Sequence, residues 1–132
     1  MPKLPAIVVV FALLAGSAHA SVLRIALTKG QATPALTYVI ASTASNGQVI
    51  ITLEVPRKQK QLDHLWRIDI VLRKDGKSIL TAPLEMKLDG GTLKTNMILD
   101  PAALKDAEIW IRTGEHAPLA ETIYAIDLGS YK

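Results

Sequence analysis

The chain contains no cysteine. That excludes thiol nucleophiles, thiolate metal centres and any disulfide framework, so packing alone must hold the fold together. Aromatic residues are also scarce: two Trp, three Tyr and one Phe in 132 residues, which describes an aliphatic core. No charge dominates, since 15 Lys and Arg stand against 12 Asp and Glu. Such a margin does not build the basic face that nucleic acid requires, so no nucleic-acid partner is expected. Glycine-rich phosphate cradles are missing too. The one Gly-Gly pair, in Asp89-Gly90-Gly91, lacks the lysine and the strand-to-helix setting of a P-loop and reads as a hairpin turn. No serine stands in a G-x-S-x-G or S-x-x-K setting, the arrangements that expose and activate a hydroxyl. No cofactor and no catalysis are expected.

Long hydrophobic runs are limited to one. Ala6–Ala15 is uninterrupted and apolar, but too short for a bilayer core, which needs roughly 20 residues. Lys3 precedes it, Gly16-Ser17 breaks it, and Ala18-His19-Ala20 follows as an A-x-A site. Charge, apolar stretch and small residues in that order are the three parts of a cleavable signal peptide. The expected organisation is a leader over residues 1–20 and a single domain over residues 21–132. No transmembrane segment is expected after cleavage. The protein would be exported, either periplasmic or secreted, and the lack of disulfides favours a bacterial envelope.

From Ser21 onward the sequence alternates with period two. In the run from Leu65 to Arg73, Trp66, Ile68, Ile70 and Leu72 fall on one face and Arg67, Asp69 and Arg73 on the other. This is the pattern of a strand with one wet side, and it assigns Trp66 to the core. Asp75-Gly76 then predicts a tight hairpin, because both residues tolerate positive φ. Further strands are expected over 22–28, 36–42, 48–55, 84–88, 92–99, 107–113 and 122–128. Pro83 marks a strand break. Asp100-Pro101 opens one short helical turn ending near Lys105. Seven to nine short strands separated by turns predict an all-β, antiparallel sandwich. In layout it resembles the immunoglobulin-like class in a broad sense, with a Trp on a strand leading into a hairpin, but without the disulfide pair.

Candidate functional residues follow from side-chain parity. Along Ala107–Thr113 the period turns Ile109 and Ile111 inward and Glu108, Trp110 and Arg112 outward. If the neighbouring strands are ordered as in an immunoglobulin-like sheet, Arg67, Val71 and Arg73 join from one side and Ile123 from the other. An outward tryptophan flanked by guanidinium groups has the composition of a recognition patch. The same residues also suit a bland arrangement, an arginine stem lying over an indole. Tyr124 alternates with Ile126 and Leu128 and is assigned to the core.

A second cluster lies on loops. Arg57, Lys58 and Lys60 form a basic run after Pro56, and His64 and His116 each stand beside a carboxylate. Antiparallel connectivity would bring these loops to one end of the sandwich. The histidine spacing is not that of a zinc site, so no metal is expected. The expected partner is another protein of the cell envelope, contacted through the Trp110 face or through this loop end. A glycan stacked on Trp110 is the first alternative, and a small hydrolase or metal-dependent enzyme, which needs His64 and His116 to converge, is the second.

Overall fold

The computed structural model describes residues 7–11, 21–30, 36–114 and 120–131. Its strands are β1 (Ile7–Phe11), β2 (Ser21–Leu27), β3 (Val39–Ser45), β4 (Gln48–Pro56), β5 (Leu65–Lys74), β6 (Lys77–Pro83), β7 (Lys87–Asp89), β8 (Thr92–Leu99), β9 (Ala107–Thr113) and β10 (Ala120–Asp127). Between β8 and β9 lies the short helix α1 (Pro101–Leu104), the one α-helix among the described residues. Asp100 caps it, accepting a hydrogen bond from the Ala102 backbone N–H at 2.9 Å. Pro101 at the first helical position loses nothing, because its missing N–H would have no partner there.

The strands form two sheets packed face to face. One is six-stranded, in the order β1-β2-β10-β9-β5-β6, and the other four-stranded, in the order β3-β4-β8-β7. All pairs are antiparallel except β2 with β10, which run parallel. The protein is therefore an all-β sandwich, with nine strands among the described residues from Ser21 onward.

Alternation builds the core directly. From β4, Ile51, Leu53 and Val55 have no exposed surface, and Ile109, Ile111 and Ile126 meet them from β9 and β10. Each such side chain contributes roughly 1.5–3 kcal/mol of burial. Two hairpins fix register. Asn46-Gly47 joins β3 to β4 and Asp75-Gly76 joins β5 to β6, with φ of 52° and 77° in the first and 54° and 78° in the second. Positive φ at both central residues matches the right-handed strand twist.

The sheets do not cover each other completely. β6, the edge strand of the larger sheet, is exposed along most of its length, Ile79 and Leu80 included. β3 is exposed along nearly its whole length.

Candidate functional site

The strand order β10-β9-β5 puts Glu108, Trp110 and Arg112 in the middle of the outer face of the larger sheet. The inward residues of β9 are Ala107, Ile109, Ile111 and Thr113, all buried, while the even-numbered ones are half-buried. The register sets Asp69 beside Trp110, Val71 beside Glu108 and Arg67 beside Arg112. On the other flank Ile123 pairs with Arg112 and Ala125 with Trp110.

This outer face is not simply wet. Asp69 and Val71 have no exposed surface, and Ile123 and Glu121 are buried as well. The expectation that Asp69 faces solvent is corrected: long Arg, Glu and Trp side chains lie flat across the sheet and roof it. A buried carboxylate survives there only because charged partners surround it.

Two carboxylate clusters organise the roof. In the first, Arg24 donates from Nη2 to both Glu108 oxygens at 2.7 and 2.8 Å, and Trp110 donates its indole N–H to Glu108 Oε1 at 2.7 Å. The Arg73 guanidinium lies 5.9 Å from the centre of the Trp110 ring. Trp110 is thus tied down at its polar edge and flanked by a cation on its face. The arginine-over-indole arrangement is realised at this residue.

In the second, Arg112 uses all three of its nitrogens. Nε and Nη2 grip Glu121 at 2.8 and 3.1 Å, and Nη1 donates to Asp69 Oδ2 at 3.1 Å. Arg67 Nε donates to the other Asp69 oxygen. The hydrogen bonds to Glu121 and then Asp69 raise the Arg112 pKa against the opposing effect of burial, so its charge is fixed.

Trp66 is where periodicity misleads. Ile68 pairs with Ile111 and Ile70 with Ile109, as an unbroken inward face requires. At the start of β5, however, Leu65 pairs with Thr113 and Arg67 with Arg112, which leaves Trp66 between them without a partner. That extra residue is a β-bulge, and a bulge re-aims its side chain. Trp66 leaves the core and is 44% exposed, with its ring centre 5.0 Å from the Arg112 guanidinium carbon. The core assignment for Trp66 is corrected accordingly. Beside it a depression of about 280 Å³ is lined by Leu65, Leu84, Met86 and Leu93, with Arg57 and Arg67 at its polar side.

The loop residues separate. Arg57 is structural: its backbone N–H donates to Gly91 O at 2.9 Å and its Nη1 to Leu62 O at 2.8 Å. Lys58 and Lys60 are exposed, and so is His64. The Gly114 N–H donates to His64 O at 2.9 Å, so the two loops do reach the same end of the sandwich. A second depression of about 370 Å³ opens there among Lys60, Gln61, His64 and Glu121. His116 lies outside the described residues. Among the described residues no group of three or more His, Cys, Asp or Glu could hold a metal ion, and no helix is long and apolar enough to cross a membrane. No family model matches the chain, and no curated protein matches it.

Proposed function

We propose that the protein is a non-catalytic binding domain exported to the bacterial envelope, with another envelope protein as its partner. Its contact surface centres on Trp66 and Arg112, with Trp110 as the support behind them. The observation that carries this reading is the bulge-exposed indole on a guanidinium that two carboxylates hold in place, at the rim of an apolar depression. Tryptophan and arginine around a small apolar pocket are the composition of interface hot spots. An arginine already fixed by its neighbours loses little side-chain entropy on binding. A glycan module is the second reading, favoured by the same exposed indole as a stacking platform.

A photoreactive amino acid placed at position 66, in a host that exports the chain, tests the proposal. The expected result is one discrete adduct from position 66 and none from Thr43 on the opposite sheet. A lack of any discrete adduct, together with a shift of indole emission on titration with soluble polysaccharide, would transfer the function to glycan binding.

A further inference from the structure

The edges of the two sheets are not equally defended. β6 carries Lys77 and Pro83 at its ends and a register shift against β5 at Leu72/Arg73. β7 is three residues long and holds Lys87 and Asp89. β3 presents mostly Ala, Ser and Thr, so pairing there would bury little apolar area. Charges, proline, bulges and short length are the usual guards against edge-to-edge association.

β2 has none of these guards. Its sequence is Ser-Val-Leu-Arg-Ile-Ala-Leu, seven residues in unbroken register with β10. Its one charge, Arg24, is spent on Glu108. Among the described residues β1 alone covers its free edge, pairing antiparallel from Ile7 opposite Ile25 to Phe11 opposite Ser21. β1 is drawn from the apolar stretch of the expected leader, and the expected cleavage point after Ala20 lies between β1 and β2. Cleavage would take away the covering strand and leave β2 as the first residues of the chain.

We infer that the free edge of β2 is a strand-accepting site, occupied by β1 before processing and by β2 of a second copy afterwards. The inference rests on the export reading given above. Antiparallel pairing of two β2 strands about Ile25 is self-complementary. Ile25 meets its own counterpart, Leu23 faces Leu27, and Arg24 faces Ala26. Ile25 and Leu27 pack on the core side in each copy, so the dimer extends both the sheet and the hydrophobic layer. Arg24 brings its counter-charge with it. A symmetric contact of this kind closes at two copies and does not propagate.

The test begins with the full chain, folded and then cut at a specific protease site introduced between Phe11 and Ser21. Light scattering after removal of the leader peptide is expected to read twice the monomer mass, while the uncut chain reads one. Ala26→Lys, which faces Arg24 of the other copy, is expected to return the cut chain to a monomer, while the uncut variant melts at the temperature of the uncut parent. Since the chain has no cysteine, Ile25→Cys is expected to give a disulfide-linked dimer after cutting only. A cut chain that stays monomeric at high micromolar concentration, with those amides of residues 22–27 that point away from β10 exchanging freely, overturns the inference. The intact mass of the naturally exported chain reports separately on the export reading, because it shows whether the product begins at Ser21.

Discussion

Arg112 reaches diagonally from β9 to β5 and donates from Nη1 to Asp69, a carboxylate with no exposed surface, at 3.1 Å. Asp69 and Glu121 are both buried beneath this one guanidinium. Removing it takes the cation from buried Glu121 and leaves buried Asp69 with Arg67 alone. Arg112→Ala is expected to cost about 3 kcal/mol, the scale for breaking a buried ion pair from one side. Urea unfolding of the variant measures it.

The two tryptophans predict opposite behaviour. Trp110 holds Glu108 and covers the buried middle of the sheet, so Trp110→Ala is expected to cost about 2 kcal/mol in the same urea assay. Trp66 is 44% exposed at a bulge and rests on the Arg112 guanidinium. Trp66→Ala is expected to cost no more than about 1 kcal/mol, the scale of an exposed cation–π contact.

That contrast also shows what the sequence made legible. Parity along Ala107–Thr113 is plain because nothing interrupts it, and the strand comes out with Ile109 and Ile111 inward as the alternation requires. Asp75-Gly76 and Asn46-Gly47 specify their own φ values, so the hairpins are readable from two residues each. At Trp66 the alternation Trp66, Ile68, Ile70, Leu72 runs unbroken through the bulge. The bulge depends on how β5 registers against β9, a non-local property with no signature in the run itself. Burial of Asp69 was illegible for a related reason. It requires Arg67 and Arg112 to converge on one carboxylate, with Glu121 of a third strand holding Arg112. The patch composition around Trp110 was readable, but its internal neutralisation by Glu108 and Arg24 was not.

Gly114 ends β9 where β10 begins its return, and a Cβ there would collide with the Ala120 carbonyl oxygen. Backbone cannot yield as a flexible side chain can. Gly114→Ala is expected to destabilise by about 1–3 kcal/mol, the usual cost of overpacking. Loss of amide protection at the Thr113 end of β9, read by hydrogen exchange, localises the damage.

Alkaline stability follows from two tyrosines. Burial raises the Tyr38 hydroxyl well above the usual tyrosine value, with the neighbouring Tyr131 hydroxyl adding to the rise, and burial also raises Tyr124. Both remain neutral in the folded chain where the unfolded chain ionises. The folded state therefore binds more protons, and stability is full below about pH 10 and falls as pH climbs beyond it. Tyr38→Phe is expected to make that decline shallower. Unfolding free energies measured from neutral pH upward, alongside the tyrosinate absorbance, check both the direction and the assignment.

The proposed contact surface depends on the bulge that sends Trp66 outward while Trp110 stays half-buried. Acrylamide quenching of two single-tryptophan proteins, Trp110→Phe and Trp66→Phe, measures it directly. The protein that keeps Trp66 is predicted to quench several-fold more steeply than the one that keeps Trp110. Equal slopes, or a steeper slope for the protein retaining Trp110, would return Trp66 to the core and remove the proposed contact surface.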